Sequence, residues 1–112
     1  MSQEVRIYGI DESDIKFKKD SNFRCINDIC QKIYGESTIS VRLECDVEVE
    51  IEYIATDEGN FLGVYLGNNS DPKDVDKQYL EFVDEAILRV LIPFTTELSM
   101  ADIRFWKSVN YD

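Results

Sequence analysis

The chain has 112 residues, room for a single domain over 1–112 whose folding removes roughly two thirds of the unfolded surface from water. Hydrophobic residues make up 44% of it, too many for a disordered chain, and no apolar run approaches the length of a membrane span. Its 23 acidic residues against 12 basic ones leave a net charge of −11, which repels nucleic acid and anionic lipid and favours basic partners.

The first residues, Met1-Ser2-Gln3-Glu4, show no charged-then-apolar export pattern, so the sequence reads as cytoplasmic. A first strand is expected over 5–10. It breaks at Asp11-Glu12-Ser13 and resumes over 14–18, where Ile15 and Phe17 alternate with Lys16 and Lys18. Ile26, Ile29, Cys30 and Ile33 then fall at helical spacing, and Gly35 is placed to stop a short helix.

The clearest element follows. Ile39, Val41, Leu43, Cys45, Val47, Val49, Ile51 and Tyr53 hold the odd positions, while Arg42, Glu44, Asp46, Glu48, Glu50 and Glu52 hold even ones. A period of two over 39–53 reads as one long strand with a core face and a solvent face, the pattern of an antiparallel sheet. Thr56-Asp57-Glu58-Gly59-Asn60 supplies a turn, and residues 61–66 read as the hairpin partner.

Asn68-Asn69-Ser70 is a loop signal, Asp71 a cap and Pro72 a first helical residue. Val75, Tyr79, Phe82, Val83, Ala86, Ile87, Val90 and Leu91 form the apolar stripe of the main helix. Pro93 has no amide hydrogen and clashes with the carbonyl four residues back, so the helix ends or kinks there. Residues 95–112 are ambiguous between helix, strand and irregular structure. The predicted fold is α+β: an antiparallel sheet of three to four strands packed with one long helix in the C-terminal half.

Chemistry is sparse. No histidine is present, which removes the usual proton shuttle, metal ligand and partner of a cysteine nucleophile. No glycine-rich phosphate cradle follows a strand. Cys25, Cys30 and Cys45 are poor material for a disulfide framework or a four-ligand zinc site and read as reduced apolar fillers. The expectation is no enzyme, no cofactor and no metal. The sharper feature is the acidic set Glu44, Asp46, Glu48, Glu50 and Glu52, spaced about 6.6 Å apart on one strand face. It is either a surface for a basic partner, as in an inhibitor, an immunity protein or a nucleic-acid mimic, or an ordinary solvated face that also discourages edge pairing.

A family resemblance enters in the C-terminal third. Leu91-Ile92-Pro93-Phe94-Thr95-Thr96-Glu97-Leu98 resembles the Leu-Phe-Pro-Tyr-x-Arg-Glu-Leu signature of the SecB export-chaperone family, and Val109-Asn110-Tyr111-Asp112 its later Val-Asn-Phe-Asp. Ile7-Tyr8 followed by Asp14-Ile15-Lys16-Phe17 is similar to its first strand. The resemblance implies a SecB-like, ATP-independent holdase: a homo-oligomer, dimer or tetramer, that binds unfolded or antitoxin-like protein clients through apolar grooves. Phe23, Tyr34, Phe94, Phe105, Trp106 and Tyr111 are the aromatics outside the clear stripes that would line such a groove; each can equally complete a small core.

The chain departs from the family at Thr96, where the signature has arginine, and in the three extra residues between Tyr8 and Asp14. In the family's export members a first-strand Asp and Glu and a hairpin-strand Leu and Glu face the export motor. Asp14 and Leu62 match the Asp and the Leu, whereas Lys18 and Val64 stand where the two glutamates would be. That exchange implies a non-export relative. Because Glu48 and Glu50 are read as solvent-facing, reversing both to lysine is expected to leave the circular dichroism spectrum unchanged. Loss of the spectrum would mean that the strand faces are misassigned.

Overall fold

A computed structural model of the chain describes residues 2–67 and 72–111. The first strand, β1 (Ser2–Asp11), runs into a 3-10 turn over Glu12–Asp14 and then a two-residue strand, β2 (Lys16–Phe17). A single helical turn, α1 (Ile26–Ile29), widens into a π-type turn to Tyr34 and stops at Gly35, whose φ of 77° is the left-handed cap that glycine provides. Next come β3 (Thr38–Arg42), β4 (Glu48–Thr56) and β5 (Gly59–Gly67). The main helix is α2 (Lys77–Leu91), followed by β6 (Thr95–Thr96) and β7 (Ile103–Tyr111). The fold class is α+β, with a five-stranded antiparallel sheet in the order β3-β4-β5-β1-β7 and a two-stranded sheet of β2 and β6.

Several expectations are corrected. The strand read over 39–53 is a hairpin: residues 43–47 form a loop in which the Leu43 amide donates to the Val47 carbonyl at 2.8 Å and Asp46 takes a φ of 64°. Val41 pairs with Val49 and Ile39 with Ile51, so partners share parity. An alternating pattern therefore reads straight through the reversal. The segment over 14–18 leaves the main sheet and pairs with β6, Phe17 opposite Thr95. Asn68, Asn69, Ser70 and Asp71 lie outside the described residues. Pro72 opens a separate 3-10 turn, and α2 is instead capped by Asp76, whose carboxylate accepts from the Gln78 amide at 3.0 Å. The sheet also has more strands than expected, because residues 103–111 form β7.

The helices cover one face of the sheet. Val83, Ala86, Ile87, Val90 and Leu91 of α2 and Ile26, Ile29 and Cys30 meet Tyr8, Ile10, Ile39, Val41, Val49, Ile51, Leu62 and Val64 in one core. The opposite face carries a smaller cluster, Val5, Ile7 and Phe61, with Ile54 and Trp106 packed against it. Gly9 and Gly63 are paired between these faces, and their backbones approach so closely that a β-carbon on Gly9 would fall 2.2 Å from the Leu62 carbonyl oxygen. The Trp106 indole donates to the Gly9 carbonyl at 2.8 Å. Among the described residues no helix is long and apolar enough to cross a membrane.

Polar ties fix the remaining pieces. Glu12 accepts from the Ile26 amide at 2.7 Å and from the Asn60 side chain at 3.3 Å, joining the start of α1 to the start of β5. Thr95 donates to the Leu91 carbonyl at 2.8 Å and the Lys18 amide to the Phe94 carbonyl at 2.9 Å, so the end of α2 is held against the segment after β1. The Tyr8 hydroxyl donates to Asp84 of α2 at 2.6 Å. Burial raises the Tyr8 phenol well above its ordinary 10.0, and the Asp84 carboxylate adds to the effect. Burial also raises the Asp84 carboxyl, although the Tyr8 hydrogen bond opposes it.

A phenol raised in the folded state contributes stability that is complete below about pH 10 and is lost as pH climbs toward its folded value. Tyr8→Phe should therefore cost about 1–2 kcal/mol at neutral pH, because Asp84 loses its donor, and should flatten the loss of stability above about pH 10. Urea unfolding of both proteins across neutral and alkaline pH measures this. An unchanged alkaline slope in the variant would refute the assignment.

Candidate functional site: a cleft where two strands part

The β4–β5 ladder runs only from Thr56 opposite Gly59 to Glu52 opposite Gly63. Both strands continue past that point, β4 back to Glu48 and β5 on to Gly67, but each stays with its other neighbour. Val49 and Ile51 remain paired with β3 and buried with α2, while Val64 remains paired with Tyr8 of β1. The strands part, and an open cleft of about 210 Å³ lies between them. Thr38, Glu50, Ile51 and Glu52 line one side, Gly63, Val64 and Tyr65 the other, and Tyr79 from the first turns of α2 completes it.

Electrostatically the cleft is an acceptor. Glu50 is exposed and Glu52 half-buried. Opposite them on β3 stand Ser40 and Thr38, which bring no charge. Burial raises the Tyr79 phenol, and the Glu50 and Glu52 carboxylates add to that shift. Tyr65 and Tyr79 keep 47% and 38% of their surface in water, so aromatic surface is offered beside the carboxylates. This combination suits a cation, through charge-assisted hydrogen bonds and the negative faces of the rings.

The acidic set expected to form one ridge is divided by the hairpin. Glu44 and Asp46 sit in the 43–47 loop, where Arg89 lies 3.2 Å from Glu44 and Arg42 lies 2.8 Å from Asp46. Arg42 also stands opposite Glu48 in the β3–β4 register. Only Glu50 and Glu52 reach the cleft. A linear ridge over all five positions does not exist in this fold.

The aromatics expected to line a client groove are dispersed. Phe23 and Phe94 stack edge to face, with ring centres 4.9 Å apart, and pack against the main core. Tyr34 is exposed at the end of the π-type turn. Phe105 packs against Tyr8 at 4.9 Å. Trp106 lies with the opposite cluster, 5.4 Å from Phe61 and beneath the Arg104 guanidinium at 4.1 Å. Tyr111 ends β7, and its amide donates to Asp57. Of the positions matched to a motor contact, Asp14 is exposed but Leu62 is wholly buried, and Val64 faces the same core. Leu62 offers no surface to a partner.

The cysteines also separate. Cys30 is buried, and burial pushes its thiol up to about 11, which leaves it an inert filler. Cys45, read from its parity as a core residue, is exposed in the 43–47 loop. All three are free thiols. Among the described residues no three acidic or sulfur-bearing side chains converge to hold a metal. Tyr65 and Tyr79 were legible only as strand and stripe residues, and nothing local in the sequence marks the parting of β4 from β5. A scan of protein-family models finds no matching family, and searches of curated proteins and of solved structures find no match.

Removing both carboxylates should lower the Tyr79 phenol toward 10.0 without reaching it, since burial is the larger cause. Ultraviolet phenol titration of a Glu50→Gln, Glu52→Gln variant, with Tyr79→Phe identifying the transition, measures this. A Tyr79 transition unmoved by the double change would place the carboxylates elsewhere.

Proposed function

We propose that the protein is a non-catalytic, ATP-independent holdase of the SecB-like kind, which binds unfolded or partly folded proteins, antitoxin-like clients included, and acts outside export. The observation that carries this reading is apolar surface left in water beside a closed core. Ile33, Ile92 and Met100 are 51%, 57% and 57% exposed, and Tyr34 and Tyr111 are exposed with them. Side chains of this kind can engage an unfolded client without any rearrangement of the buried core. An antiparallel sheet packed by one long helix is also the architecture that the resemblance implies. Burial of Leu62 and Val64 supports a role apart from the export motor. Assembly as a dimer or tetramer would cover part of the exposed surface and align the rest.

A second reading, an acidic module that blocks a basic partner, is favoured by the cleft with Glu50, Glu52, Tyr65 and Tyr79. It replaces the five-residue ridge as the acidic surface. Salt separates the two readings. Apolar client binding tolerates it, whereas exposed charge contacts are screened within a Debye length of about 8 Å at physiological ionic strength.

Substoichiometric protein is expected to slow aggregation of a chemically unfolded model enzyme without nucleotide, and to keep doing so in high salt. Light scattering of the client over time measures both. Absence of protection at equimolar protein would rule the holdase out, and protection abolished by moderate salt would transfer the weight to the acidic module.

A further inference from the structure

We infer that the cleft between β4 and β5 receives basic side chains at alternate positions of an extended segment of a partner protein. The inference rests on the acidic-module reading and is independent of holdase activity. The cleft's size argues against a whole small molecule: about 210 Å³ in an open site is below the roughly 300 Å³ at which ordinary small-molecule pockets begin. It suits one or two side chains entering from a chain that stays outside.

The walls specify the charge of those side chains. Glu50 and Glu52 supply acceptors with no basic residue opposite them on β3, and Tyr65 and Tyr79 supply ring faces that attract a lysine ammonium or an arginine guanidinium. An anionic group would meet both carboxylates in a protein of net charge −11 and be repelled. The wider negative field steers a basic chain toward the molecule, and the local pairs set where it settles.

The spacing specifies the conformation. Glu50 and Glu52 lie two residues apart on one strand, about 6.6 Å, which is also the separation of side chains on one side of an extended peptide. A helical segment sets its same-face residues about 5–6 Å apart, short of this spacing. The ligand class is therefore an extended segment of the form basic-x-basic.

The test uses two capped hexapeptides of equal charge, one alternating lysine and threonine and one with three lysines followed by three threonines, titrated calorimetrically into the whole protein. Two double variants of equal charge change accompany them: Glu50→Gln with Glu52→Gln in the cleft, and Glu44→Gln with Asp46→Asn in the loop. The alternating peptide should bind about tenfold tighter than the block peptide. That preference should vanish in the cleft variant and persist in the loop variant, with the thermal midpoints of both variants confirming that they are folded. Equal losses in the two variants, or no preference for the alternating peptide, would overturn the inference while leaving the acidic-module reading in place. Failure of both peptides to bind saturably would overturn the inference and the acidic-module reading together.

Discussion

β1 carries apolar side chains on both faces, Val5 and Ile7 on one and Tyr8 and Ile10 on the other, and such a strand is stable only with both faces and both edges covered. Its edges are closed by β5 and β7, each antiparallel to it. Those two strands are consequently parallel to each other, and parallel strands need a long crossover. The crossover contains α2, which covers the Tyr8 and Ile10 face, while Phe61 and Trp106 cover the Val5 and Ile7 face. The order of the sheet and the position of the main helix both follow from what this strand must bury.

The same demand explains the glycines at its middle. At Gly9 and Gly63 the paired backbones lie too close for a β-carbon on either residue, and the Trp106 indole bonds to the Gly9 carbonyl. Further along, β5 keeps its pairing with β1 while β4 follows its hairpin partner and the helix. The cleft forms where these two allegiances diverge. It is a product of the packing, with Glu50, Glu52, Tyr65 and Tyr79 occupying the walls that the packing leaves open.

Much of this was legible along the chain and some was not, for identifiable reasons. The turn at 56–60, the hairpin partner beyond it, the stop at Gly35 and the end of α2 before Pro93 all rest on local chemistry, and the structure has them in place. The reversal at 43–47 was hidden because a loop of five residues preserves parity across a hairpin. β7 was hidden because Ile103 and Phe105 lie toward the helix side while Trp106 lies toward the other, so no clean alternation marks it. The acidic residues were readable as solvent-facing, but which of them meet in space depends on the hairpin. Two are drawn aside by Arg42 and Arg89, and two reach the cleft.

The pairing of β1 with β7 also bears on how the molecule is made. Ser2 lies opposite Tyr111 and Ile10 opposite Ile103, so β1 meets one of its neighbours only when β7 has been translated. Until then one edge of a strand apolar on both faces stays open on the ribosome. Contacts this distant in sequence form slowly, because the entropy of closing the intervening loop must be overcome before they contribute. The β3–β4 hairpin can form early from local contacts, whereas this edge of β1 must wait for β7. During that interval the nascent chain exposes apolar surface that the finished sheet covers.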